Sequence, residues 1–140
     1  MDSDPQIEAL GPDWLIEPKL AILALIRANT KRMAKDVLTD QRLASGIGNY
    51  LACEILYRAG VHPAARWHTI DRLGRAKIAD EAIIFLEQCM NHADHSHWKV
   101  FDKKGESCPA CAAPIAYVKD GGGNAKRGSY YCPVCQPETQ

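Results

Sequence analysis

The sequence lacks any hydrophobic run long enough to cross a membrane. Its longest uninterrupted apolar stretch covers only residues 20–26, whereas a membrane-spanning helix needs roughly 20 residues. The amino terminus reads Met1-Asp2-Ser3-Asp4, so it also lacks the basic and then apolar order of a secretory signal peptide. We therefore expect no transmembrane helix and a cytoplasmic location.

Beyond one paired cysteine motif, the sequence has no internal repeats, no long low-complexity tracts and none of the short motifs of common enzymes. It contains no phosphate-binding loop of the nucleotide-hydrolysing type and no recognisable Ser/His/Asp or Cys/His arrangement. Its 140 residues are 46% hydrophobic and 24% charged, as in an ordinary globular protein. This size allows one modest domain and an appendage, and it excludes a multidomain enzyme.

The chain has no net charge at pH 7, because 17 basic residues balance 17 acidic ones. The balance is uneven: residues 1–18 contain five acidic residues and no Lys or Arg, so the remainder carries an excess of five positive charges. An excess of this size favours nucleic-acid binding only weakly, since a few extra lysines are common on soluble surfaces.

Four of the six cysteines form two Cys-x-x-Cys pairs, which are separated by 20 residues: Cys108, Cys111, Cys132 and Cys135. This spacing is typical of a tetrathiolate site in which one Zn²⁺ ion stabilises a short segment with little apolar core. A rubredoxin-like iron site, a redox-active Cys-x-x-Cys and disulfides are the alternatives, and a reducing cytoplasm disfavours disulfides. Cys53 and Cys89 lie in helical patterns and are interpreted as buried thiols.

Apolar spacing predicts four helices, over residues 17–28, 35–43, 50–59 and 70–90. A glycine-rich turn separates the second helix from the third, Gly60 ends the third, and Thr69 is the expected N-terminal cap of the fourth. The expected core face of the fourth helix comprises Leu73, Ile78, Ala82, Ile83, Phe85 and Leu86.

Two short strands follow, residues 115–118 and 129–132, on either side of the turn Gly121-Gly122-Gly123-Asn124. They form a hairpin with one cysteine pair at each end. The predicted fold is mainly α: a helical bundle followed by a small β-hairpin zinc ribbon. We expect a polar leader over residues 1–13, a helical domain over 14–98 and the ribbon over 99–137.

The segment Gly46-Ile47-Gly48-Asn49 is a candidate anion site because it opens a helix whose first N–H groups are free to bind phosphate. A tight turn that uses glycine only for positive φ is the equal alternative. Basic residues near this turn and near the hairpin are candidate phosphate contacts or solvated surface charges. They are Lys31, Arg32, Lys35, Arg42, Lys126 and Arg127. Four of the five histidines, His62, His92, His95 and His97, are interpreted as structural residues.

Several of these segments together resemble one known protein family. They are Leu38-Thr39-Asp40-Gln41, Gly46-Ile47-Gly48-Asn49, the run from Glu54 to Pro63, the Val100-Phe101 lead into Gly105-Glu106-Ser107-Cys108, and Arg127-Gly128-Ser129-Tyr130-Tyr131-Cys132. In this order they resemble the second half of the formamidopyrimidine-DNA glycosylase and endonuclease VIII family, over about residues 10–136.

The resemblance implies a helix-two-turn-helix domain with a zinc finger, of the kind used in base-excision repair. It implies that Asn49, Gly48 and the nearby Lys31, Arg32 and Lys35 hold backbone phosphates of double-stranded DNA, and that Arg127 grips phosphates beside a lesion. It also implies that Arg127 would serve δ-elimination if strand cleavage survives. No other catalytic residue is assigned.

Some residues depart from the family pattern. The family begins its catalytic domain with Pro-Glu after Met, whereas this sequence has Asp2 and Ser3. Phe101 stands where many members have Tyr, and Asp102-Lys103 replaces the usual Gly-Arg. We therefore expect a monomeric, zinc-containing protein that binds intact, damaged or abasic duplex DNA, nucleoid-associated in a bacterium, without glycosylase activity of its own. The alternatives are a residual glycosylase or abasic-site lyase, alone or with a separate catalytic partner, and an RNA or ribosome-associated module.

Overall fold

The computed structural model describes residues 10–91, 98–119 and 128–138. Within these ranges the elements are α1 (Pro18–Arg27), α2 (Ala34–Leu38), α3 (Asn49–Ala59), a 3₁₀ turn (Trp67–Thr69), α4 (Arg72–Asn91), β1 (Ala116–Lys119) and β2 (Gly128–Tyr131). This is the predicted fold class, a mainly α protein with a β-hairpin and a four-cysteine cluster. No helix in these ranges has both the length and the apolarity of a membrane span.

All four predicted helices are present, but the second is shorter than predicted. It ends at Leu38, and residues 39–45 form turns instead of helix. The Thr39 hydroxyl donates to the carbonyl of Lys35 at 2.9 Å, and Asp40 accepts the N–H of Arg42 at 3.0 Å. Short polar side chains that bond to nearby backbone in this way compete with helix continuation. The prediction of a helix to residue 43 is therefore wrong.

The start of α4 also differs from the prediction. Thr69 lies in the 3₁₀ turn, and its hydroxyl donates to the carbonyl of Arg66. Asp71 supplies the cap, because its carboxylate accepts the N–H of Gly74 at 2.7 Å. Leu73, predicted to face the core, is 82% exposed. The rest of the predicted face packs inward, with Ile78, Ala82, Phe85 and Leu86 buried and Ile83 partly buried.

Helix α3 is the central element, because it packs on both sides. One side contributes Leu51, Ile55 and Leu56 to the main core, which α1, α2 and α4 complete. The opposite side places Cys53 and Tyr57 in a second, smaller cluster with residues of the ribbon. Both sides of α3 are therefore needed to hold the helices and the ribbon together.

The hairpin has antiparallel register, in which Ala116 pairs with Tyr131 and Lys119 with Gly128. Aromatic rings join it to the helices. The Phe101 and Tyr130 centroids are 5.2 Å apart, and Tyr50 at the start of α3 lies 5.8 Å from Phe101. The predicted hairpin is confirmed, whereas its predicted glycine turn lies outside the described residues.

Two buried polar side chains anchor the ribbon. Glu54 on α3 is fully buried, and its carboxylate accepts the N–H groups of Lys99, Val100 and Phe101 at 2.9, 2.7 and 2.9 Å. Gln136, also fully buried, accepts the N–H of Cys132 at 2.8 Å and donates to the carbonyl of Val61 at 2.9 Å. The chain that enters the ribbon and the chain that leaves it are thus both bonded to the helical part.

The segment before α1 packs tightly on the turn after α2. Gly11 donates its N–H to the carbonyl of Gln41 at 2.9 Å, and its own carbonyl accepts the Ser45 hydroxyl at 3.1 Å. A Cβ atom at Gly11 would lie 2.6 Å from the carbonyl oxygen of Arg42. Because that neighbour is backbone, it has little freedom to move aside.

We expect Gly11→Ala to lower the free energy of unfolding by about 1–3 kcal/mol, the range for overpacking a closely packed site. Urea denaturation of both proteins measures the difference. Gly48→Ala is the matched control, because no atom of the described residues lies within 4 Å of a Cβ at Gly48 and its φ is −95°. Equal destabilisation by the two substitutions would contradict this explanation.

Candidate metal centre and nucleic-acid interface

The four predicted cysteine ligands meet in one cluster. The Sγ atoms of Cys108, Cys111, Cys132 and Cys135 all lie within 4.8 Å of one another. Two of the pairs are closer: Cys108 and Cys135 at 3.8 Å, and Cys111 and Cys132 at 3.4 Å. Four sulfurs around a tetrahedral ion with bonds of about 2.3 Å stand about 3.8 Å apart. The cluster therefore fits a metal ion in both size and donor chemistry.

The surroundings of the cluster favour ionisation of one cysteine thiol and disfavour ionisation of a second thiol beside it. Burial alone would raise the pKa of Cys108, but hydrogen bonds from the Tyr57 hydroxyl and nearby backbone N–H groups outweigh it and lower that pKa to about 6. Burial and bonds with the other thiols raise the pKa of Cys135 to about 12. Burial, and then the contact with Cys108 at 3.1 Å, also raise the pKa of Tyr57. A divalent cation would relieve the repulsion among four thiolates.

Gln41 fixes the two turns between α2 and α3. Its side-chain amide donates to the carbonyls of Ile47 and Thr39 at 2.8 and 3.1 Å, and its oxygen accepts the N–H of Gly46 at 2.9 Å. Gly46 has a φ of +116°, which L side chains rarely adopt. At Gly46 the turn interpretation is therefore sufficient to explain the glycine.

Gly48 is different, because nothing within the described chain requires glycine there. It is the N-cap of α3 in extended backbone, and no side chain caps the helix. A Cβ at this position would meet open space. Glycine is a common N-cap residue, and its missing side chain also leaves the helix N-terminus, which favours an anion, open to close approach by a ligand.

The start of β2 lies directly against this helix N-terminus. The carbonyl of Gly128 accepts the side-chain amide of Asn49 at 3.0 Å and the ammonium of Lys35 at 3.1 Å. The Cys53 thiol lies 3.9 Å from the same oxygen. Three side chains from α2 and α3 thus converge on the first residue of the second strand. The oxygen of the Asn49 amide is buried and has no hydrogen-bond partner within the described residues.

The predicted basic residues do not form one exposed group. Lys31 is exposed. Arg32 is paired with Asp40 at 2.7 Å, and although burial alone would raise the Asp40 pKa, bonds from Arg32 and Arg42 lower it. Lys35 is 97% buried and bonded to the hairpin, which corrects the expectation of an exposed cluster. Its partner, 93 residues further along the chain, is not visible in the local sequence.

The histidine predictions are tested in part. His62 is buried, its Nδ1 accepts the N–H of Ala64 at 3.0 Å, and its ring lies 4.6 Å from that of Tyr131. Burial lowers the pKa of His62. These contacts fit the structural interpretation. The predictions for His92, His95, His97, Lys126 and Arg127 lie outside the described residues.

Cys53 is a buried thiol, as predicted, whereas Cys89, predicted to be buried as well, is only half-buried. Glu54 and Gln136 were not singled out from the sequence. For Glu54 a signal was present, because it is a charged residue between apolar positions of a buried helix. Gln136 gives no such signal, since its partners lie in a different segment.

Comparisons with known proteins agree on one family. The sequence profile described as the formamidopyrimidine-DNA glycosylase H2TH domain matches residues 10–99. The formamidopyrimidine-DNA glycosylase of Thermosynechococcus vestitus is 31% identical over 151 residues, covering 95% of this chain and 51% of the relative. That of Chloroflexus aggregans is 32% identical over 145 residues, covering 91% and 51%. This chain thus spans about half the length of these relatives.

Solved structures agree with the fold. The MutM (Fpg) protein of Thermus thermophilus superposes with a TM-score of 0.86 at 26% identity, covering 97% of this chain and 57% of that one. The Lactococcus lactis Fpg in complex with DNA containing an abasic site gives a TM-score of 0.79 at 26% identity, covering 94% and 53%. The Lactococcus lactis protein in complex with DNA containing FAPY-dG also superposes on this chain, with a TM-score of 0.79 at 27% identity.

Proposed function

The chain belongs to the formamidopyrimidine-DNA glycosylase H2TH domain family, and from this premise we propose that it is a zinc-containing protein that binds duplex DNA through its phosphates. The observation that carries the proposal is the junction at Gly128, where the uncapped N-terminus of α3 meets the start of β2. The junction joins the turn that carries the candidate anion site to the first residue of β2. Solved relatives bound to abasic and damaged DNA support the same function.

In this proposal, binding is electrostatic and sequence-independent. Gly48 allows a phosphate to approach the free N–H groups at the start of α3. The exposed Lys31, which precedes α2, adds a further positive charge. Arg127 directly precedes Gly128 in the chain, and we propose it as a further phosphate contact. Such contacts fix a protein on DNA without reading its bases.

The proposed metal is Zn²⁺, which fits four thiolate ligands and a small segment with little apolar core. Its ligands would be Cys108, Cys111, Cys132 and Cys135. When bound, zinc supplies folding energy and no reaction chemistry, because four protein ligands leave no open position for substrate. The residues that bond to the hairpin then hold it in position to contact DNA.

Fluorescence anisotropy across a salt series tests the proposal. The zinc-loaded protein is titrated into a duplex with a stable abasic analogue and into its undamaged twin. We expect salt-dependent binding to both duplexes. A preference for the abasic duplex would show that this chain senses damage or DNA bending. Absence of binding to either would refute the proposal, and stronger binding to structured RNA in competition would favour the RNA-binding alternative.

We expect Arg127→Ala to weaken DNA binding with little change in sequence preference, and to reduce the slope of log K against log salt by about one unit. Lys19→Ala is the matched control, because Lys19 is exposed on α1, away from the turn and the hairpin in the chain. We expect the slope of this control to stay unchanged. An unchanged slope for Arg127→Ala would remove this residue from the phosphate contacts.

Because the relatives are glycosylases, residual abasic-site lyase activity is the second candidate. A lyase amine must be tightly positioned or have a lowered pKa to form an imine. The buried Lys35 is tightly positioned, but its ammonium donates to Gly128 and Ser129. We therefore expect borohydride to trap no covalent adduct between this 140-residue chain and abasic DNA, whereas an adduct would establish the lyase.

A further inference from the structure

We infer that Lys35 is a positioning residue for the hairpin and that its ammonium acts on DNA binding through Gly128, not through a phosphate. The inference rests on the proposed function, because it says how that function's two DNA-binding elements are held in register. It reassigns a residue that the sequence pattern groups with exposed phosphate contacts.

The contacts of Lys35 carry the inference. The side chain is 97% buried, and its Nζ atom donates to the Gly128 carbonyl and to the Ser129 hydroxyl, each at 3.1 Å. Burying an ammonium is costly unless acceptors satisfy it. Hydrogen bonds from a charged donor are about twice as strong as neutral ones, so these acceptors hold the hairpin firmly.

The geometry at the Gly128 oxygen strengthens this conclusion. A carbonyl oxygen has two lone pairs, and here Lys35 Nζ and Asn49 Nδ2 supply two donors at 3.1 and 3.0 Å. The orientation of this peptide is therefore fixed by α2 on one side and by α3 on the other. The Tyr117 ring lies against the Cα of Gly128, where a side chain would clash with it.

The fixed peptide lies at the start of the second strand, where the two strands of the hairpin begin to pair. Gly128 is the first residue of β2 and pairs with Lys119 at the end of β1. Consecutive Cα atoms are only about 3.80 Å apart, so clamping Gly128 also limits where the main chain of its neighbour Arg127 begins. Ordering this point before DNA arrives lowers the entropic cost of binding.

The first test uses amide hydrogen exchange in the zinc-loaded, DNA-free protein. We expect Lys35→Met to speed exchange of the β1 and β2 amides by about tenfold or more, while the amides of α4 keep their protection. Lys31→Met is the matched control, because Lys31 is exposed and precedes α2. Ser129→Ala removes one of the two acceptors and should give a smaller change in the same direction.

The second test is a double-mutant cycle on DNA affinity. If Lys35 acts through the hairpin, Lys35→Met weakens binding of the original protein but has little further effect in an Arg127→Ala background. If Lys35 itself contacts a phosphate, the two effects add and the salt slope falls by about a further unit. Additive effects would therefore overturn the inference.

The two tests separate this inference from the proposed function. We call the two bonds from Lys35 Nζ to Gly128 and Ser129 the clamp. If Lys35→Met leaves exchange of the β1 and β2 amides unchanged, the clamp is refuted whether or not the protein binds DNA. Faster exchange in a protein that binds no DNA supports the clamp and refutes the proposed function. If Lys35→Met fails to fold, Ser129→Ala decides the question, and unchanged hairpin exchange in that variant refutes the clamp.

Discussion

Removal of the proposed zinc is expected to unfold the ribbon and to abolish most of the proposed DNA binding. The second cluster, which holds the ribbon, is small and includes three of the cysteine ligands themselves, whereas the main core lies in the helical part. Structural zinc contributes about 10–16 kcal/mol of apparent binding free energy in small zinc fingers. The apolar contacts of the ribbon are too few to replace such a contribution.

The measurement combines a chelator titration with the variant Cys132→Ala, since Cys132 is fully buried. We expect loss of bound zinc, loss of protection of the β1 and β2 amides, and at least about a tenfold drop in DNA affinity. The helices should persist, because their core contains no cysteine ligand. Cys89→Ser is the matched control, as Cys89 lies outside the cluster. Undiminished DNA affinity after complete zinc removal would contradict the assigned role of the metal.

Replacement of Glu54 is expected to give the second large effect. Its carboxylate accepts three consecutive backbone N–H groups where the chain enters the ribbon. Glu54→Ala leaves these three donors unsatisfied, at about 1–3 kcal/mol for each fully buried group. Because only the bond to Val100 is buried and those to Lys99 and Phe101 are part-buried, we expect a loss of about 3–6 kcal/mol, below the sum of about 3–9 kcal/mol for three fully buried donors. The total stability of a domain is only about 5–15 kcal/mol. This substitution should therefore leave the protein marginally folded.

Urea unfolding of the zinc-loaded protein measures this loss. Glu87→Ala is the matched control, because Glu87 is exposed on α4 and should change the stability by no more than about 0.5 kcal/mol. The loss of stability in Glu54→Gln should lie between those of the other two variants, because its amide oxygen still accepts a hydrogen bond but its NH₂ group faces a backbone N–H donor. A loss below about 1 kcal/mol for Glu54→Ala would show that water or other groups satisfy these N–H donors.

Part of the candidate site follows from local sequence. The two Cys-x-x-Cys pairs meet in one cluster as their spacing predicts, because each pair needs only a tight turn and a metal site gathers both. The glycine-rich turn was interpreted either as a tight turn or as an anion site. Gly46 has the positive φ of a tight turn, whereas Gly48 has a backbone conformation that any residue can adopt. No feature of the local sequence distinguishes these two glycines.

Other predictions were wrong because the structure at those residues depends on bonds to distant segments or on side-chain bonds that compete with the helix. Lys35 lies on helical spacing near other basic residues, so its pattern favours an exposed charge, yet its acceptors come from the hairpin. Leu73 is apolar and at a helical interval, but α4 begins only one residue before it and leaves it exposed. The second helix stops early because Thr39 and Asp40 bond to the backbone around them.

The four helices, the hairpin, the four-cysteine cluster and the family were all predictable without coordinates, because each is encoded by spacing within a short segment or by motifs in a fixed order. The attachment of the ribbon to the helices was not. It depends on Lys35, Glu54 and Gln136, whose partners lie 93, 45–47 and 75 residues away in the chain. A buried polar group can be satisfied by any donor or acceptor that the fold brings near, so its partner becomes known only when the packing is known.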